Sequence, residues 1–266
     1  MGDPETAARD GAKIRLAGLS KSFGPKLVLD GLDLEVADGE SVVVIGRSGT
    51  GKSVMLKHII GLMRPDAGEI EIDGVAIHTL GNRELTAFRR RFGMAFQEGA
   101  LFDSMTVFDN IAFPLRRQSG LGAGVIAERV RECLALVHLA GVERKMPSEL
   151  SGGMRRRVGF ARAIAHEPEI LLFDEPTSGL DPVTTAVIDD VICGLLEGVH
   201  STAVTITHDL VSAFRIADRI GMLHQGRIIA IAPPEEFRRL DDPRVQQFLE
   251  GRGEGPLGAD NRDGAF

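Results

Sequence analysis

Apolar and polar residues alternate from Ile14 to Leu34 and again over 69–77, in EIEIDGVAI, where Asp73-Gly74 punctuates a turn. A period of two sends one face to a core and the other to water, so these segments predict a half-exposed antiparallel sheet. Three further runs differ in character. Val42–Ile45 and Ile170–Phe173 are continuously apolar, and Ala203–Thr207 is rich in β-branched residues; strands covered on both faces of a parallel sheet read this way. Each ends at a chemically loaded residue, and in open α/β sheets ligands gather at the carboxyl ends of the strands. The three endings are therefore expected to converge on one crevice.

Between the first two of these runs the pattern turns helical, with Val130, Leu134, Val137 and Leu139 along a stretch read as helix over 127–140. This predicts a helical subdomain over about 98–165, inside one large domain over 13–240. Residues 1–12 are small and charged and read as a disordered start. Beyond Pro233-Pro234 a short charged helix leads to an extension, 241–266, ending in GRGEGPLGADNRDGAF, too rich in glycine and charge to fold alone. No internal repeat is visible.

Composition narrows the function classes. The 266 residues are 43% hydrophobic and 26% charged, as in an ordinary globular protein. A formal charge of -7 argues against nucleic acid as a partner, because phosphate backbones need a basic field. The arginine runs 89–91, 116–117 and 155–157 read as solvated helix faces, with contact to a partner or an anionic membrane as the other reading. Cys133 and Cys193 lack metal-ligand spacing and suit a reducing compartment. No apolar run approaches the length of a bilayer span, and MGDPETAARDGA has no hydrophobic signal region. The expectation is a cytoplasmic chain that relies on other subunits for any membrane span.

The chemistry sits at the strand ends. Gly46-Arg47-Ser48-Gly49-Thr50-Gly51-Lys52-Ser53 matches GxxxxGK[ST], with a buried strand before it and a helix after it. Its glycines let backbone N-H groups and a helix N-terminus face a polyphosphate. Lys52 would reach the β and γ phosphates, and Ser53 would place a hydroxyl on Mg²⁺. Asp174 and Glu175 end the second buried run; such a pair is costly unless it meets a cation or a polar crevice, although a turn or helix start also carries adjacent acids. Asp174 would act on the metal through water, and Glu175 would polarise an attacking water. His208, at the end of the third run, reads as a structural histidine or as a γ-phosphate contact. The other histidines form no ligand cluster along the sequence.

Leu150-Ser151-Gly152-Gly153-Met154 opens a predicted helix from about Met154 to Ile164, with Ser151 as its cap. In this order with the phosphate loop, the paired acids and His208, it resembles the signature of ABC ATPases, over residues 13 to about 240. The resemblance implies an α/β P-loop NTPase fold with a mainly parallel core sheet, an antiparallel β subdomain and a helical subdomain. It implies that Ser151, Gly152 and Gly153 bind the γ-phosphate held by a second copy of the chain, so that ATP is sandwiched in a dimer. It also implies that Gln97 senses Mg²⁺ and the permease, that Ser178-Gly179-Leu180-Asp181 joins the two half-sites, and that Phe23 stacks on adenine. A core aromatic is the other reading of Phe23. Two positions depart from the usual pattern: Met154 stands where glutamine is commonest, and Phe23 where tyrosine is usual.

Within that family, residues 97–115, Met154 and the segment Asp242 to Gly251 resemble the Mla/Mce type, which powers phospholipid movement between bacterial membranes. This implies integral permease subunits (MlaE-like), a periplasmic MCE-domain protein (MlaD-like) and, in some members, a STAS-domain protein (MlaB-like), with the ATPase peripheral on the cytoplasmic face of the inner membrane. Phe102, Val107, Phe108 and Phe113 would receive a permease helix or pack in the core. The tail after Gly251 resembles an extension that reaches the opposite ATPase; a frayed end is the alternative. The competing functions are an importer ATPase for a small polar solute such as an amino acid, a non-transport ABC ATPase, and a regulatory nucleotide-binding module without turnover.

Overall fold

The computed structural model describes residues 11–258 except 98, 118, 119 and 200. The expected disordered start therefore lies almost wholly outside the described residues. The chain opens with two long antiparallel strands, β1 (Ala12–Phe23) and β2 (Lys26–Ala37), followed by β3 (Ser41–Ile45), α1 (Lys52–Ile59), β4 (Ala67–Ile72) and the short β5 (Val75–Ala76). β2, β1, β4 and β5 pair in that order as an antiparallel sheet. Ile14 and Leu16 of β1 and Ile70 and Ile72 of β4 are buried, while the alternating Glu69 is exposed and Glu71 half-buried on the other face, as the alternation requires.

Next come α2 (Asn82–Phe88), β6 (Phe92–Ala95), α3 (Val107–Leu115), α4 (Ala123–Leu136), α5 (Gly152–Ile164), β7 (Ile170–Asp174), α6 (Pro182–Val199), β8 (Thr202–Thr207) and α7 (Leu210–Ile216). The chain continues through β9 (Arg219–His224), β10 (Arg227–Ala232), α8 (Pro234–Phe237) and α9 (Pro243–Leu249). The core sheet has the order β10-β9-β3-β8-β7-β6, parallel except for β10. Its faces belong to two separate apolar clusters. Val43 and Ile45 pack with α3 to α6, whereas Val42 and Val44 pack with α1 and the antiparallel sheet. Strand β3 is therefore buried on both sides, which explains its unbroken apolar run.

Register aligns the strand ends. Ile45 pairs with Thr207, and Asp174 with Ile206, so the segments starting at Gly46, Glu175 and His208 emerge side by side. The three endings converge as the strand pattern predicts.

Three elements differ from the sequence reading. The helix read over 127–140 spans Ala123–Leu136. It stops because His138 turns left-handed (φ 54°), while Leu139 N donates to Leu134 O and His138 N to Ala135 O, a helix-terminating pattern usually built on glycine. Strands β9 and β10 escaped the reading; they join through Gln225-Gly226, both at positive φ, a two-residue hairpin turn with a weaker signature than Asn-Gly. The tail beyond Gly251 is anchored on its own chain as far as it is described. Gln247 accepts from Leu257 N (2.7 Å) and donates to Arg252 O (3.1 Å), and Leu257 is buried. Residues 259–266 lie outside the described residues. Among those described, no helix is long and apolar enough to cross a membrane.

Candidate active site

The loop after β3 folds tightly against its neighbours. A Cβ at Gly46 would sit 2.5 Å from Leu223 O, so only glycine permits this approach. Gly51 caps α1 at φ 103° with no side-chain cap, leaving the first N-H groups of the helix without an intrahelical partner. That end is an electropositive seat for an anion. Lys52 is buried; its Nζ donates to Gly46 O at 2.7 Å and Arg47 O at 3.2 Å, and lies 3.3 Å from Glu175 Oε1. A buried ammonium with one carboxylate partner inside a glycine loop suits a polyphosphate.

Asp174 and Glu175 point to different tasks. Ser53 donates from Oγ to Asp174 Oδ1 at 3.1 Å. Burial raises the Asp174 carboxyl above its ordinary value, and the neighbouring Glu175 pushes it the same way, while the Ser53 hydrogen bond and the nearby lysines oppose them. Glu175 adopts φ 49°, a left-handed conformation that costs a non-glycine residue about 1 kcal/mol. Its backbone N-H is held by Ile206 O (2.9 Å), so the strain is fixed by β8. The turned backbone brings Glu175 Oε2 to 2.7 Å from His208 Nδ1 and 3.3 Å from His208 N. Lys52 and His208 thus flank one carboxylate.

Around this centre, Gln97 Nε2 donates to Ser178 Oγ at 3.2 Å, tying the end of β6 to the loop after Glu175. Asp181 accepts from Val183 N and Thr184 N, both at 3.0 Å, and caps α6 ahead of Pro182. A cavity of about 440 Å³ is lined by Phe23, Lys26, Val28, Ser48, Gly49, Gly51, Lys52, Ser53, Val54 and Glu175. The Phe23 ring at its edge is 46% exposed, which excludes a core role. Arg47 and Thr50 line an adjoining recess with Leu257, whose carbonyl accepts from Arg47 Nη1 at 2.8 Å.

Ser151, Gly152 and Gly153 are not brought to this cavity. Ser151 caps α5 by accepting from Met154 N at 3.3 Å, and Gly152 lines a separate depression with Ala100, Leu101 and Pro147. Met154 packs partly buried against the helical-side core, which suits an apolar residue at the position.

The structure also supplies residues the sequence reading passed over. Arg156, inside a run read as a solvated face, is buried; it donates to Pro176 O at 3.2 Å and to Ser178 O, bracing the loop after Glu175 from α5. Arg157 donates to Val137 O and His138 O, and Arg89 to Ile60 O and Gly61 O, so these runs include internal ties rather than only solvated faces. The missed signal was position: Arg156 shares the inward face of α5 with Phe160 and Ala163. Of the four apolar residues considered for a permease contact, Val107 is core, whereas Phe102 is exposed and packs on Phe113 at 4.9 Å.

A family model described as ABC transporter matches residues 29–178. The "Probable ribonucleotide transport ATP-binding protein mkl" of Mycobacterium tuberculosis (strain H37Rv) is 45% identical over 248 residues, 93% of this chain and 69% of its own length. The "Intermembrane phospholipid transport system ATP-binding protein MlaF" of Haemophilus influenzae is 41% identical over 244 residues, 92% of each chain. Among solved structures, a dimeric post-hydrolysis state of the ATP-binding cassette MJ0796 bound to ADP and Pi matches with a TM-score of 0.76 and 33% identity, covering 83% of this chain and 98% of that one. The chain belongs to the ABC transporter family and is an ATP-binding, ATP-hydrolysing subunit that powers a transporter.

Proposed function

We propose that the chain supplies one half of a composite ATP site in a dimer of two copies, and that the dimer drives intermembrane phospholipid transport. The carrying observation is the meeting of Lys52, Glu175 and His208 at the strand ends while Ser151 to Gly153 lie away from that cavity. A second copy would bring its Ser151, Gly152 and Gly153 to the phosphate from across the interface, as the dimeric cassette MJ0796 supports.

In this reading the loop from Gly46 to Ser53 cradles the phosphates with its backbone N-H groups, and Phe23 packs on the adenine. Lys52 moves its charge from Glu175 to the phosphate oxygens. Glu175, relieved of that partner, takes the proton of the attacking water, and His208 fixes the carboxylate through Nδ1. The oxygens of Ser53 and Asp174, 3.1 Å apart beside the loop, are a hard donor set that fits Mg²⁺. Ser53 would hold the ion directly, Gln97 through its amide oxygen and Asp174 through water. When bound, the ion neutralises charge on the phosphate oxygens. Closing two copies over ATP is a population shift; moving the open-closed equilibrium from 1:99 to 99:1 needs about 5.5 kcal/mol.

The phospholipid reading is supported by the MlaF relative, which matches at nearly full length on both sides. Permease subunits would dock near the exposed Phe102 and its partner Phe113, placing the ATPase on the cytoplasmic face of the inner membrane, with MCE-domain and STAS-domain proteins as further subunits. The mkl relative favours a second reading, a nucleotide cargo. Copurification of the chain with its membrane subunits, followed by ATP-dependent transfer assays, separates the two. Movement of labelled phospholipid between vesicles supports the first; ATP-driven ribonucleotide uptake without lipid movement supports the second.

A further inference from the structure

Asp189 of α6 is fully buried, yet only one of its carboxyl oxygens is engaged. Ser212 donates from Oγ to Oδ2 at 3.0 Å, whereas Oδ1 meets no hydrogen-bond partner among the described residues. Ser212 Oγ also lies 3.3 Å from Oγ1 of Thr177, which is buried too. Thr177 stands two residues past Glu175 and Ser212 four past His208. The three side chains therefore link α6 to both segments that carry the Glu175–His208 contact.

Counting protons gives this link a direction. A hydroxyl has one proton to donate. While Asp189 is ionised, Ser212 gives its proton to the carboxylate and can only accept from Thr177. Once Asp189 is protonated, the acid can donate to Ser212, and Ser212 to Thr177, which reverses both hydroxyls. A buried carboxylate with an idle oxygen is an arrangement that stability alone disfavours, and such groups gather at functional sites.

Burial raises the Asp189 carboxyl to about 6. Asp209 at the cap of α7 and Asp190 on α6 push in the same direction; Arg215 of α7 opposes them while paired with Asp190. Cys193, on the same helix, has its thiol raised by burial, with Asp189, Asp190 and Glu197 pushing the same way and Arg215 opposing them.

We propose that Asp189 is a positioning residue for ATP hydrolysis: as a carboxylate it orients the Ser212 and Thr177 hydroxyls and so holds the segments bearing Glu175 and His208 at their hydrogen-bonded separation. The ionised form is the competent one. This rests on the reading of Glu175 as the base.

The test is steady-state ATP hydrolysis by the full chain, from about pH 5.5 to about pH 8.5, for wild type, Asp189→Asn and Ser212→Ala. Asparagine keeps the shape and removes the charge. At the alkaline end kcat of Asp189→Asn falls about tenfold, with KM for ATP within about twofold, because the loss is one of alignment. Its unfolding midpoint rises. As pH drops through about 6 the wild-type advantage shrinks toward one, because wild type becomes neutral as well. Ser212→Ala lowers kcat comparably, and adding Asp189→Asn to it costs nothing further. A wild-type advantage that stays constant across pH, or an Asp189→Asn chain that loses stability and turnover together, overturns the proposal. Glu175→Gln separates the two readings: if it still turns over, the base assignment fails, whereas if it is inactive while Asp189→Asn follows the wild-type profile, only the role of Asp189 fails.

Discussion

Glu175 and His208 meet at 2.7 Å, carboxylate Oε2 against imidazole Nδ1, although 33 residues separate them. The other carboxylate oxygen faces Lys52 at 3.3 Å. One carboxylate is thus shared between the end of β8 and the helix after the glycine loop, and in the proposed reading phosphate entering the loop would compete for that lysine. Activation of Glu175 as the proposed base would thereby be coupled to occupancy of the loop.

Glu175→Gln removes the proposed proton acceptor and keeps the shape. Turnover is expected to fall by about two to three orders of magnitude, a typical cost of losing a general base. ATP binding persists. Single-turnover hydrolysis beside equilibrium binding checks this, and unchanged steady-state hydrolysis contradicts the assignment.

Lys52→Ala removes the buried ammonium held by Gly46 O and Arg47 O and leaves Glu175 without its cation. Charge-assisted hydrogen bonds to phosphate are the strong ones, so ATP affinity should weaken by at least about tenfold. Titration with a fluorescent ATP analogue measures it. Wild-type affinity would remove Lys52 from phosphate binding.

Phe23→Ala should leave the unfolding midpoint almost unchanged, since the ring is half exposed. Loss of stacking, worth about 1 kcal/mol, should weaken ATP binding several-fold but leave inorganic triphosphate binding alone. Equal weakening of both ligands would deny Phe23 a base contact.

Stability should respond to pH through Asp189. Its folded value of about 6 lies above the 3.8 of an unstructured aspartate. Stability from the neutral acid is therefore complete below about 3.8 and is lost as pH rises through about 6. The gap amounts to roughly 3 kcal/mol at most, and Asp189→Asn should recover part of it above that range. Denaturant unfolding of wild type and variant at acid and alkaline pH measures the difference; a variant that is less stable at alkaline pH contradicts the burial argument.

Much of this architecture was legible because the strands announce themselves. The unbroken Val42–Ile45 run and the alternating 69–77 segment forecast a sheet covered twice and a sheet covered once, and the register of β3, β8 and β7 then places their ends together. Less legible was what depends on a single backbone torsion or on a face. Nothing in the local sequence announces that His138 would end α4 in a left-handed turn. Arg156 looked like one charge among three until α5 turned it toward Pro176. Asp189 lay unread because its importance comes from Ser212 and Thr177, distant in sequence and adjacent only in the fold.

The most direct test of the composite site uses the Glu175→Gln chain, with molar mass measured by light scattering with and without ATP. A Cβ at Gly152 meets nothing within 4 Å, so its own chain leaves room for a side chain to start there, and Gly152→Asp would set a negative charge against the phosphate in the proposed dimer. The account predicts that ATP doubles the mass and that adding Gly152→Asp keeps the chain monomeric while it still binds ATP. A chain that binds ATP and stays monomeric, or a dimer indifferent to Gly152→Asp, would contradict it.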